Sequence, residues 1–223
     1  MRLYIIRHAE PAYPRDALTP RGRLQARDLA LRLAAVGVER IYSSPMKRAI
    51  ETARPTAEAL GLAIEVEPWM RELEEWWIPG GPEGECPVWQ VDGGTVRSLL
   101  PGLHQENWHS LPPFDRPVLC EGFAELRDHS AAFFARHGYL RDGRCYRKGT
   151  DEGGPLAVFC HGGFGLTWLA HLLEIPPPLL WTAFSLPPAS VTTVELAELA
   201  DGRAVPRCLG LADVAHLSDQ KTL

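Results

Sequence analysis

Short apolar runs alternate with segments of helical period over the first third of the chain, an order that predicts a parallel sheet covered by helices. Leu3 to Ile6 reads as a buried strand. Behind Thr19, a capping residue, and Pro20, a first-turn proline, Ala26, Leu29, Ala30 and Leu33 recur at i, i+3, i+4 and i+7. Gly37 is placed to end that helix. Arg40 to Ser43 reads as a second strand, after which Ser44 and Pro45 are expected to open a helix carrying Ile50, Ala53, Ala57 and Leu60, kinked at Pro55 and closed by Gly61.

From Trp76 to about Pro117 the periodicity fails and prolines, glycines, histidines and tryptophans dominate, the composition of a functional loop or insertion. Helical spacing returns with Phe123, Leu126, Phe133 and Phe134. A glycine-rich turn around Asp151 to Gly154 leads to an apolar strand, Leu156 to Cys160, then His161-Gly162-Gly163 and an apolar helix through Leu172. Val191 to Leu196 and Val205 to Leu209 read as closing strands. The expected fold is α/β, a three-layer α/β/α sandwich with a mostly parallel central sheet. Residues 1–223 form one domain, with 76–155 inserted as a lid that sets substrate specificity.

Composition narrows the function. Hydrophobic residues make up 45% of the 223 and charged residues 23%, ordinary for a globular protein. The net charge of −5 gives no electrostatic reason to expect nucleic acid or an anionic membrane as a partner, so an anionic substrate has to be captured locally. The five cysteines, Cys86, Cys120, Cys145, Cys160 and Cys208, are scattered without a C-x-x-C pair. A reduced, cytoplasmic setting is expected, with no signal peptide and no apolar run of the roughly 20 residues that span a bilayer.

Arg7-His8 and His161-Gly162-Gly163 each stand where a strand ends and the chain turns toward a helix, the edge where open α/β sheets bind ligands. Lys47 and Arg48 place positive charge at a helix start, which opposes the helix dipole at about 0.3–1 kcal/mol per charge. A bound anion reverses that sign, because the free N–H groups and Arg48 then act together.

Four motifs in order are similar to the histidine phosphatase superfamily, also called phosphoglycerate mutase-like, in its phosphatase branch. They are Arg7-His8-Ala9-Glu10, the run Ser43-Ser44-Pro45-Met46-Lys47-Arg48-Ala49-Ile50-Glu51-Thr52-Ala53, Pro68-Trp69-Met70-Arg71-Glu72, and His161-Gly162-Gly163. Leu18-Thr19-Pro20-Arg21-Gly22 and Gln25-Ala26 follow its first-helix pattern. The resemblance implies a metal-independent phosphomonoesterase that forms phosphohistidine on His8. In it, Arg7, Arg48 and His161 hold the phosphoryl oxygens, with His161 also counted among the catalytic residues, and Glu72 is the general acid. No cofactor is needed on this reading, because cationic side chains take the place of a metal. The partner is a small phosphorylated metabolite.

Glu75 stands one helical turn beyond Glu72 and is the alternative acid. Glu10, Glu75, Trp76 and Trp77 are candidates for the substrate pocket, although the tryptophans equally suit a satellite core. Cys86, His104, His109 and Cys120 are too irregularly spaced for a zinc site. A cofactor-dependent phosphoglycerate mutase shares the same core residues, but its longer stretch after the Arg-His motif is replaced here by the proline-rich Pro11 to Asp16. A non-catalytic phospho-ligand-binding protein is the other alternative.

Overall fold

The computed structural model describes residues 1–80, 84–149 and 153–217. In chain order the elements are β1 (Arg2–Arg7), β2 (Pro11–Ala12), β3 (Ala17–Leu18), α1 (Pro20–Ala35), β4 (Arg40–Ser43), α2 (Lys47–Leu60), β5 (Ile64–Val66), β6 (Trp77–Pro79) and β7 (Glu85–Pro87). They continue as α3 (Gly93–Ser98), α4 (Pro117–Arg136), β8 (Tyr139–Asp142), β9 (Cys145–Lys148), β10 (Leu156–Cys160), α5 (Gly162–Leu172), α6 (Pro177–Ala183), β11 (Val191–Glu198) and β12 (Arg203–Asp213). Thr19 caps α1 as its sequence position predicts, its side chain accepting from the Gly22 amide at 3.0 Å.

Among the described residues the main sheet has eight strands, in the order β5-β4-β10-β1-β11-β12-β9-β8. From β5 to β1 the pairs are parallel, and from β1 to β8 they are antiparallel. The sheet is therefore mixed rather than mostly parallel. Its antiparallel half includes the β8–β9 hairpin, whose Arg141, Asp142, Arg147 and Lys148 hide any apolar alternation in the sequence.

Alternation along β1 and β10 fills two cores. Leu3, Ile5 and Val158 pack with Leu126, Phe133 and Trp168 on one face, while Tyr4, Ile6, Ala157 and Phe159 pack with Leu29, Leu33 and Ala53 on the other. Each such Leu or Phe, fully buried, contributes roughly 1.5–3 kcal/mol by transfer from water. The helices α4 and α5 thus cover one side of the sheet, and α1 and α2 the other.

A third core lies beyond this sandwich. Trp76, Ile78, Val88, Val96, Trp108 and Phe114 pack against Leu119 and Phe123 of α4 and Trp181 of α6. This corrects the expected extent of the insertion: 117–149 belongs to the sandwich, through α4 and the β8–β9 edge of the main sheet, and only the stretch before α4 forms a separate cluster. The glycine-rich turn expected at Asp151 to Gly154 lies partly outside the described residues.

Parallel pairing gathers the chemistry at one edge. Arg7 is the register partner of Cys160, and Phe159 that of Ser43, so the residues that follow the C-terminal ends of β1, β10 and β4 emerge side by side. Those residues are His8, His161 and Ser44. The His8 amide donates to the Cys160 carbonyl at 2.9 Å and the Ser44 amide to the Phe159 carbonyl at 2.9 Å, carrying the ladder one step beyond the strands.

Candidate active site

Arg7, His8, Arg48, Glu72, Gly162 and Gly163 line one cavity of about 730 Å³ at this edge. The His161 ring stands beside it, its centroid 5.2 Å from that of His8. His8 is 2% exposed, and its Nδ1 lies 2.8 Å from the Ala9 carbonyl oxygen. A carbonyl can only accept, so Nδ1 carries the proton and the lone pair is left on Nε2. Burial lowers the His8 pKa to about 4, against the raising effect of the Ala9 hydrogen bond, and the positive charges of Arg7 and Arg48 lower it further. His8 is therefore a neutral imidazole at neutral pH, with one nitrogen available as a nucleophile.

His161 is fully buried, and its Nε2 lies 2.7 Å from Ser44 Oγ. Burial holds its pKa well below the usual value, with the neighbouring His8 and the two arginines adding to the effect. Ser44 Oγ also accepts from the Met46 amide at 3.2 Å. Ser44 was expected to cap α2; instead α2 starts at Lys47, preceded by Met46 with no side-chain cap, and Ser44 is spent on His161. The α2 N-terminus is satisfied from elsewhere: Asp16 Oδ2 accepts from the Lys47 amide at 2.8 Å, and Oδ1 from Arg48 Nη1 at 2.5 Å.

Arg7 Nη1 donates to the Leu186 carbonyl at 2.5 Å, and Arg48 Nη2 lies 3.2 Å from Met46 Sδ. The Nε atoms of both arginines and Nδ1 of His161 are buried without a hydrogen-bond partner. Buried polar groups in folded proteins are paired as a rule, and the two guanidinium orphans belong to side chains that line one cavity with His8. A guanidinium can only donate, so the two arginines suit a tetrahedral oxyanion.

Glu72 faces the same cavity. Its carboxylate accepts from the backbone amides of Phe164 at 2.8 Å, Gly163 at 3.1 Å and Leu73 at 3.1 Å, at the N-terminus of α5. Burial raises its pKa against the lowering effect of these three bonds, a state in which a carboxyl can give up a proton and then recover it. Gly163 is fixed by this packing, because a Cβ there would come within 2.5 Å of Trp89 and 2.8 Å of Glu72 Oε1.

The other pocket candidates are corrected. Glu75 is exposed and does not line the cavity. Glu10 turns away to accept from Thr19 Oγ1 at 2.6 Å and from Arg21 Nη1 at 3.3 Å, bracing the start of α1. Trp76 is buried in the third core and stacks over Gly122, while Trp77 is 42% exposed and donates to the Glu74 carbonyl at 2.7 Å. Trp89 and Trp181 line the cavity in their place, with Tyr13, Asp16, Arg71, Gln90 and Phe184. Asp16 escaped the sequence reading altogether. Its signal was present: the first turn of α2 has no acidic residue of its own, so its anion had to come from elsewhere in the chain.

Comparison with known proteins gives the family. A family model described as the histidine phosphatase superfamily (branch 1) matches residues 3–77. A probable phosphoglycerate mutase of Escherichia fergusonii is 32% identical over 150 residues, covering 53% of this chain and 68% of that protein. The chain belongs to the histidine phosphatase superfamily. Within the superfamily, a putative phosphoserine phosphatase of Hydrogenobacter thermophilus is 38% identical over 81 residues, a match that spans only 40% of that relative. The fold is shared with phosphoserine phosphatase of Entamoeba histolytica, solved in complex with phosphoserine, at a TM-score of 0.64 and 20% identity over 97% of this chain and 98% of that one. Mycobacterial glucosyl-3-phosphoglycerate phosphatase is similar at a TM-score of 0.60 and 24% identity, over 93% and 96%.

Proposed function

We propose that the protein is a phosphomonoesterase that passes the phosphoryl group of a small metabolite to His8 Nε2 and then to water. The observation that carries this reading is the pair of unpartnered guanidinium nitrogens, Arg7 Nε and Arg48 Nε, on side chains that line one cavity with a histidine whose other nitrogen is tied to Ala9. Two guanidinium groups supply the electrostatic stabilisation that phosphoryl transfer mainly requires, so the reaction needs no metal ion.

In the first half-reaction the Nε2 lone pair forms the N–P bond as the P–O bond to the leaving group breaks, and protonated Glu72 delivers its proton to the departing oxygen. In the second, the Glu72 carboxylate takes a proton from water, the resulting hydroxide oxygen bonds to phosphorus, and the N–P bond breaks to release phosphate. Both His8 and Glu72 return to their starting states. The outer wall, with Arg71, Gln90 and Trp89 beside Glu72, suits a small polar leaving group. That is consistent with neighbours named for phosphoserine and 3-phosphoglyceric acid.

The resemblance to probable phosphoglycerate mutases supports a second reading, in which the phosphoryl group on His8 returns to a bound phosphoglycerate rather than to water. Release of phosphate from p-nitrophenyl phosphate and from phosphoserine in the presence of a chelator is expected of the phosphatase. Isomerisation of 3-phosphoglycerate without phosphate release identifies the mutase, and loss of all turnover in chelator refutes the metal-free mechanism.

A further inference from the structure

The position at which an anion would meet Arg48 and the start of α2 is already held by a side chain of the protein. Asp16 ends a short turn, Tyr13–Arg15, in the left-handed region at φ 43°, a conformation that Asp and Asn tolerate better than most residues. From there it reaches across 31 residues of sequence to the Lys47 amide and, through its second oxygen, to Arg48 Nη1. The two partners differ in environment: the Arg48 side chain is 7% exposed and that of Asp16 38%. The Asp16 carboxylate lines the same cavity as His8 and acts on it, its negative charge opposing the drop in the His8 pKa.

We propose that Asp16 is a built-in competitor for the phosphoryl site: a fixed anion that neutralises Arg48 between turnovers and weakens the hold on inorganic phosphate. The inference rests on reading this cavity as the phosphoryl site. A buried guanidinium without a counter-charge is costly, and Asp16 removes that cost while the site is empty. When a phosphoryl dianion enters, Arg48 serves two anions at once, and Asp16 repels the newcomer inside the pocket. That repulsion is strongest in the bound dianions, substrate ester and product phosphate. Asp16 thus raises the phosphate-bound state and favours product release.

Asp16→Asn tests this directly, because an amide oxygen can still accept from the Lys47 amide and Asn tolerates the left-handed backbone. The readouts are phosphate and orthovanadate titrations followed by tryptophan fluorescence, Trp89 and Trp181 being in the cavity wall, together with kcat and KM for p-nitrophenyl phosphate. The expected result is phosphate binding at least tenfold tighter, with a lower KM and a lower kcat. Asp16→Ser, which also removes the charge and can cap a helix, should shift phosphate affinity in the same direction and serves if the Asn variant does not fold. Phosphate affinity that is equal or weaker in the variants overturns the proposal and leaves Asp16 as a brace for Arg48. If the unaltered protein itself binds neither phosphate nor vanadate, the reading of the cavity as a phosphoryl site fails first.

Discussion

Gly163→Ala probes the proposed acid, Glu72, without touching its chemistry. The added Cβ would lie 2.5 Å from Trp89 Cε3 and 2.8 Å from Glu72 Oε1, and ordinary contact begins at 3.4 Å, so the indole must retreat by about 0.9 Å and the carboxylate by about 0.6 Å. The carboxylate cannot retreat while keeping its bonds of 2.8 Å to the Phe164 amide and 3.1 Å to the Gly163 amide. Misplacing a catalytic group by the better part of an ångström costs on the order of 10²-fold in rate, and overpacking of this kind costs about 1–3 kcal/mol in stability. Hydrolysis of an alkyl phosphate such as phosphoserine, whose leaving oxygen needs a proton, is expected to fall about a hundredfold. Hydrolysis of p-nitrophenyl phosphate should fall much less, because its phenolate leaves unaided. Phosphate inhibition should change only slightly, since Arg7, Arg48 and His161 are untouched. Steady-state kinetics on the two substrates, with a thermal melt to confirm folding, decides the matter. Equal loss on both substrates, or wild-type hydrolysis of phosphoserine, would refute the placement of Glu72 as acid.

Glu72→Gln should give the same contrast between leaving groups, with an added stability loss of about 1–3 kcal/mol, because the amide NH2 must face the N–H of Gly163 or Phe164; a melt at wild-type temperature would contradict that packing. Burial, with the positive charges of Arg40 and Arg136, lowers the His137 pKa to about 4. Between about pH 6.5 and 4 the unfolded chain therefore binds a proton that the folded one does not, and stability falls with falling pH by roughly 3 kcal/mol across that window. Urea melts from pH 7 to pH 4 should show the slope, and His137→Phe should reduce it; an unaltered slope in the variant would assign the effect to other groups. Trp89→Ala should change relative kcat/KM among phosphomonoesters, whereas Trp76→Ala should lower thermal stability by about 3–5 kcal/mol with little change in substrate preference; the reverse pattern would restore Trp76 to the pocket.

The parallel half of the fold was legible because its signals are local. Strand β10 falls where a continuous apolar run places it, β4 covers Arg40–Ser43 as its sequence reads, and α1 starts after the capping residue Thr19. The start of α2 was misread because its cap is not local: Asp16 reaches it from another turn, which frees Ser44 for His161. The same long-range economy hid Asp16 as a site residue. The sequence leaves the tryptophans between pocket and satellite core for a different reason, since composition marks an aromatic cluster without saying which ring faces a cavity. Tertiary packing decides that, burying Trp76 over Gly122 and turning Trp89 toward Gly163. Parallel register brings three of the four motifs to one edge, at His8, Ser44 and His161.

The central claim is that His8 accepts the phosphoryl group, and trapping the covalent intermediate tests it most directly. Rapid quenching into alkali, where phosphohistidine survives, followed by peptide mapping, should recover the phosphoryl label on His8 of the wild-type protein. The label should be lost on acid treatment and absent from His8→Ala, with turnover abolished in that variant. Label on any other residue, or near wild-type turnover in His8→Ala, would contradict the account.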